Sequence, residues 1–118
     1  MKRPLLVLVL GALMTLAGST AAFAAVPSTL SAKFNASTEY FHGSVKSPNA
    51  ECGAGRVVKI FKQRAGADSL QGKATTKANG SWRIQVMHAH GRYYAVTPKH
   101  KAMHATCAAD RSAIVDVM

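Results

Sequence analysis

Acidic side chains are scarce in this chain of 118 residues, which has five Asp and Glu against 15 Lys and Arg. The formal net charge at neutral pH is +10. An excess of this size attracts anionic material such as acidic polysaccharides, phospholipid headgroups and nucleic acids. The basic residues nevertheless form no run of five or more. Their spacing is equally typical of a solvated, solubilising surface.

Recognised catalytic motifs are also missing. The sequence contains no Gly-x-Ser-x-Gly, His-Glu-x-x-His or phosphate-binding glycine loop. Hydrolytic triads need a carboxylate that orients a histidine. No local catalytic motif surrounds any of the five carboxylates, Glu39, Glu51, Asp68, Asp110 and Asp116. We therefore predict a protein that is not an enzyme and that needs no cofactor.

The N-terminal segment has few polar residues. Lys2 and Arg3 precede an apolar run, and Ala22-Phe23-Ala24 has the small-x-small form of a signal-peptidase site. The apolar run is shorter than the stretch of about 20 apolar residues that a transmembrane helix needs. We predict a signal helix over 1–24 that is cleaved after Ala24. The mature chain would be secreted or periplasmic, without a membrane span, and would carry 13 basic and five acidic residues, a net charge of +8.

Cysteine occurs only twice, at Cys52 and Cys107. No Cys-x-x-C is present, so neither a thioredoxin-like centre nor a cysteine zinc site is supported. Small exported domains often compensate for a limited core with a disulfide. We predict that these two cysteines form one.

The mature region shows period-2 alternation and no amphipathic helix. Residues 25–37 have little period, which predicts a flexible leader, and the domain is expected over 38–118. Short strands about ten residues apart predict an all-β, seven-stranded Greek-key sandwich of the prealbumin or immunoglobulin type. These strands are expected within 38–46, 56–63, 70–76, 81–86, 91–97, 106–109 and 113–117.

The segment around Trp82 is the strongest local signal. Asn79-Gly80 offers the positive φ values of a two-residue turn, and Trp82, Ile84 and Val86 alternate after it. We predict a β-hairpin that joins the strand ending near Thr76 to the Trp82 strand. Trp82 itself is predicted to lie in the core.

Four segments together resemble the transthyretin-like, carboxypeptidase regulatory-domain-like superfamily. They are Phe41-His42-Gly43-Ser44-Val45, Gly55-Arg56-Val57-Val58-Lys59-Ile60-Phe61, Thr76-Lys77-Ala78-Asn79-Gly80-Ser81-Trp82 and Gly91-Arg92-Tyr93-Tyr94-Ala95-Val96. The resemblance implies a prealbumin-like sandwich that is usually exported and non-catalytic. One enzymatic branch, hydroxyisourate hydrolase, ends in Tyr-Arg-Gly-Ser, whereas this chain ends Ile114-Val115-Asp116-Val117-Met118. No catalytic residue can therefore be carried over.

Histidines suggest a possible metal site. His88 and His90 would share one face of an extended strand, and His100 with His104 could complete a set of four nitrogens for zinc or copper. The adjacent Lys99 and Lys101 would repel a cation. The alternative is a set of surface histidines without a metal.

A cationic loop is the second candidate site. Arg92, Lys99, His100, Lys101 and His104 could converge at one end of the sandwich, where functional loops tend to lie. The alternative is a solvated loop. Aromatic stacking on bases has little support because Trp82 is expected in the core, so nucleic acid is an unlikely partner.

These observations favour a secreted, non-catalytic β-sandwich module with a binding or structural role. Its partner would be acidic polysaccharide or another anionic surface, outside the cell or in the cell envelope. The competing hypothesis is an extracellular zinc- or copper-binding protein that uses His88, His90, His100 and His104.

Overall fold

The computed structural model describes residues 24–118. The predicted signal peptide therefore lies outside the described residues, apart from its last alanine. Within 24–118 no helix has the length and apolar character needed to cross a bilayer.

Ten strands and one short 3₁₀ turn, Ala50–Cys52, make up the regular structure of the described region. Strands β1 to β5 are Thr29–Asn35, Tyr40–Lys46, Val57–Lys62, Ser69–Thr75 and Ser81–Gln85. Strands β6 to β10 are Gly91–Thr97, His100–Lys101, Thr106–Cys107, Asp110–Arg111 and Val115–Val117.

Two main sheets carry the fold. The first has the order β1-β2-β5, and the second has the order β10-β6-β3-β4 with β9 paired to β6. The short strands β7 and β8 pair with each other. The chain leaves the first sheet after β2, forms β3 and β4 in the second, and returns at β5 beside β2. This exchange between sheets confirms the predicted all-β Greek-key sandwich.

The core lies between the two sheets. Alternate residues of each strand point inward, and Phe41, Ile60, Trp82 and Tyr93 are at most 3% exposed. The rings of Phe41 and Tyr93 lie 4.9 Å apart, so aromatic contacts bridge the sheets. The predicted core position of Trp82 is confirmed.

The predicted flexible leader over 25–37 is wrong for most of its length. Residues Thr29–Asn35 form β1, which pairs antiparallel with β2 along all seven residues. Leu30 is buried, and Ala32 and Phe34 pack against the core. The alternation in β1 rests on small residues such as Ala32, which carry little β-propensity, so the strand is fixed by its partner β2.

The chain turns at the predicted position, where the Gly80 N–H donates to the Lys77 oxygen, but Asn79 lacks the predicted positive φ and the predicted hairpin is wrong. Gly80 has a φ of +86°, as the turn requires, and a Cβ there would lie 2.4 Å from the Val45 oxygen. Strand β5 pairs with β2, whereas β4 pairs with β3 in the other sheet. The turn therefore carries the chain from one sheet to the other.

The predicted disulfide is confirmed. Cys52, at the end of the 3₁₀ turn, is bonded to Cys107 in β8, with Cα atoms 5.3 Å apart and both residues fully buried. This bond fastens the β7–β8 hairpin to the segment that follows β2.

Beside the disulfide lies a buried arginine. Arg56 is 0% exposed, and its guanidinium donates hydrogen bonds to Ser28 Oγ and to the backbone oxygens of Cys52, Pro98 and Ala108. Burial lowers the pKa of this guanidinium below its usual value. Arg56 thus ties four segments of the chain together at the disulfide end of the sandwich.

Candidate anion-binding face

The predicted cationic set does not converge. Arg92 stands near the start of β6, whereas Lys99 to His104 follow its end. Seven residues of strand span roughly 20 Å, so these groups lie at opposite ends of the sandwich. The Arg92 Nε atom lies 3.4 Å from Asp116 Oδ1, in an exposed ion pair.

The four histidines of the predicted metal site are divided in the same way. His88 and His90 precede β6, while His100 and His104 follow it. Residues 24–118 contain no group of three or more His, Cys, Asp or Glu side chains placed to hold a metal ion. The hypothesis that these four histidines share one metal is therefore wrong, because β6 separates the two pairs.

Four members of the predicted loop do remain close, in or directly beside the β7–β8 hairpin. Lys99 and Lys101 are exposed there, and His100 is half-buried. His104 is held by Glu51, which accepts hydrogen bonds from its backbone N–H at 3.0 Å and lies 2.8 Å from its Nδ1. These contacts lower the pKa of Glu51. Residues 101–106 of the hairpin, together with Asn49, line a cavity of about 490 Å³.

A second group of basic residues lies on the outer face of the three-stranded sheet. The antiparallel register places Lys33 opposite His42, and His42 opposite Arg83. All three are exposed. Neighbouring strands are about 4.8 Å apart, so these residues form one straight row across the sheet. We call this set the cation row.

Three further rows complete this surface. The next row along the strands consists of Ser31, Ser44 and Ser81, which are paired by the same register and which we call the serine row. Beyond the serines stands Lys46, exposed and opposite Thr29. On the other side of the cation row lies Tyr40, whose ring centroid is 4.9 Å from the Arg83 guanidinium carbon.

No carboxylate forms an ion pair with the cation row, because each of the five binds a group outside the row. The side-chain oxygens of Glu39 and Asp110 accept hydrogen bonds from the backbone N–H groups of His88 and Leu30. The other three bind side chains: Glu51 binds His104, Asp68 binds Tyr94, and Asp116 binds Arg92.

The outer face of the second sheet has a different character. The Tyr94 hydroxyl donates to Asp68, which lowers the pKa of Asp68 and raises that of Tyr94. The Arg111 guanidinium lies 3.8 Å from the Tyr94 ring centroid, and Phe61 stacks on the same ring. The aromatic, cationic and acidic groups on this face are therefore paired with one another. The same face also carries Lys59, which lies opposite Lys73 on the neighbouring strand.

The sequence alone predicted His42 and Arg83 as outward residues of two separate strands. It placed Lys33 in the flexible leader, and it paired the strand of Arg83 with the wrong partner. The available signal was the alternation of Leu30, Ala32 and Phe34, which predicts an inward face and thereby points Lys33 outward.

Comparisons with known proteins leave the family open. No family model matches the sequence, and no curated protein matches it. Among solved structures, the chain is similar to a Fn3-like protein from Clostridium thermocellum, with 18% identity and a TM-score of 0.46, over 80% of this chain and 91% of that chain. The resemblance to the transthyretin-like superfamily remains a prediction.

Proposed function

We propose that the protein is a non-catalytic binding module that attaches to anionic extracellular or cell-envelope material through the outer face of its three-stranded sheet. The single observation that carries the proposal is the cation row of Lys33, His42 and Arg83, which faces solvent with every carboxylate of the chain engaged elsewhere.

Other features support this role. The backbone of β2 is hydrogen-bonded on both sides, so the Cα positions of the cation row are fixed relative to one another before a ligand arrives. Polyanions are attracted from a distance by the net positive charge of the chain. The disulfide fits an oxidising compartment, where such material is found. This supports our proposal that the protein acts outside the cytoplasm.

Binding to immobilised dextran sulfate tests this proposal, with uncharged dextran as the reference surface. We expect binding to dextran sulfate only, and weakening as salt is raised because the charges are exposed. The double variant Lys33→Ala/Arg83→Ala should lower affinity about 2- to 30-fold, since exposed charge pairs each contribute about 0.2–1 kcal/mol.

The matched control removes two lysines from the other sheet. Lys59 and Lys73 also stand opposite each other, so Lys59→Ala/Lys73→Ala changes the net charge by the same amount. This control should retain most of the affinity. Equal losses in both double variants would show that only total charge matters, and absence of binding by the unmodified protein would refute the proposed function.

A further inference from the structure

The serine row lies lower than its surroundings. Ser31, Ser44 and Ser81 have the shortest polar side chains, whereas the cation row on one side and Lys46 on the other have long ones. Successive rows on one face are about 7 Å apart along the strands. The three serines therefore form the floor of a shallow trough that runs across β1, β2 and β5.

The floor of this trough is lined with hydroxyl groups. Ser31 Oγ lies 3.3 Å from Ser44 Oγ and accepts from the Ser44 N–H at 3.1 Å, while Ser81 Oγ donates to Asn79 Oδ1 at 2.7 Å. A hydroxyl offers one donor and two acceptor positions, so each serine keeps bonding capacity beyond these contacts. Such a floor matches a ligand that itself carries hydroxyl groups.

We infer that the trough holds a short segment of an acidic polysaccharide, lying across the three strands. Sugar hydroxyls bond to the serine floor, while the acidic groups reach the cation row on one side and Lys46 on the other. Three strands span about 10 Å between the outer two, which limits the contact to a few sugar units. The inference rests on the proposed function and specifies its ligand.

The same surface is poorly suited to other polyanions. Nucleic acids bind such faces by stacking bases on aromatic rings. The aromatic side chain at this surface is Tyr40, and the Arg83 guanidinium already lies over its ring. A polyphosphate pairs with the cations and its oxygens can accept from serine hydroxyls, but it has no donors for the acceptor positions that the serines keep. Charge alone therefore does not account for the serine row.

Two probes with equal charge separate these possibilities: a short oligouronate, and a linear polyphosphate with the same number of charges. The variant Ser44→Val keeps every cation, removes the central hydroxyl and suits a strand. We expect it to weaken oligouronate binding about fivefold or more, because hydrogen bonds to the floor are lost. Polyphosphate binding should stay within about twofold. Binding of both probes is measured by calorimetric titration.

Ser81→Ala provides a second, smaller change, and circular dichroism confirms that each variant is folded. Thr75→Val, on the exposed outer face of β4, is the matched control and should bind both probes like the unmodified protein. Unchanged oligouronate binding in Ser44→Val and Ser81→Ala would overturn the inference, as would equal losses for both probes. In these titrations the proposed function would survive either result and would fail if the unmodified protein bound neither probe.

Discussion

Arg56 is a charged residue that serves structure. Its guanidinium is fully buried, yet its partners are one hydroxyl and three backbone oxygens, and no carboxylate pairs with it in the described region. In the sequence it looked like any other basic residue at the start of a strand. Only the meeting of Ser28, Pro98 and Ala108 around it, which no local pattern encodes, reveals its role.

Replacing Arg56 should therefore destabilise the whole domain. Arg56→Met keeps much of the volume but leaves buried oxygens without donors, so we expect the free energy of unfolding to fall by about 3 kcal/mol or more. Urea denaturation followed by Trp82 fluorescence measures this loss. Arg64→Met is the matched control, since Arg64 is exposed in a loop and should change stability little. Similar midpoints for the two variants would contradict the role assigned to Arg56.

At the scale of elements, β1 and β2 approach each other unusually closely at Gly43. A Cβ at this position would lie 1.9 Å from the Ser31 backbone oxygen and 3.1 Å from the Trp82 ring. The glycine therefore fixes the distance between the strands that carry Lys33 and His42. A glycine inside a strand often marks such a close approach of two backbones.

Gly43→Ala should separate β1 from β2 and lower stability by about 1–3 kcal/mol, the usual cost of overpacking. It should also weaken dextran sulfate binding, because the cation row spans both strands. Thermal unfolding and the binding assay measure the two effects. Gly66→Ala, where no atom lies within 4 Å, should leave both unchanged. A fully stable Gly43→Ala variant would show that the strands can move apart without cost.

The limits of sequence reasoning are clearest at this scale. Period-2 alternation predicted β2, β3 and β6 because one face of each is strongly apolar. It missed β1, whose inward residues include the small Ala32, and it paired β4 with β5 because a local turn signal says nothing about which sheet a strand joins. The cation row depends on both of these points, so no local pattern could have assembled it.

For the molecule as a whole, the disulfide between Cys52 and Cys107 adds stability to a domain with a small hydrophobic core. The disulfide joins residues 55 positions apart, so it removes much of the freedom of the unfolded chain. In the chain-entropy model a loop of this length contributes roughly 4 kcal/mol. Domains of this size have a free energy of unfolding of about 5–15 kcal/mol, so the disulfide contributes a large share of the stability.

The double variant Cys52→Ala/Cys107→Ala should lose about 4 kcal/mol of unfolding free energy. Guanidinium denaturation of the oxidised protein and of the variant measures the difference. Met103→Ala, at a residue 86% exposed, serves as the control and should match the unmodified protein. Equal stability of the double variant and the oxidised protein would mean that the sheets and Arg56 hold the disulfide end without the bond.

The passage of the chain through Gly80 from one sheet to the other has a consequence for dissecting the protein. A cut at this turn leaves β2 without β5 in one piece and β6 without β3 in the other, since the central pairings of both sheets join residues from either side of it. Neither half contains a complete layer. The domain therefore cannot be divided at this turn into two folded pieces, and the face needs strands from both sides of the turn in one chain.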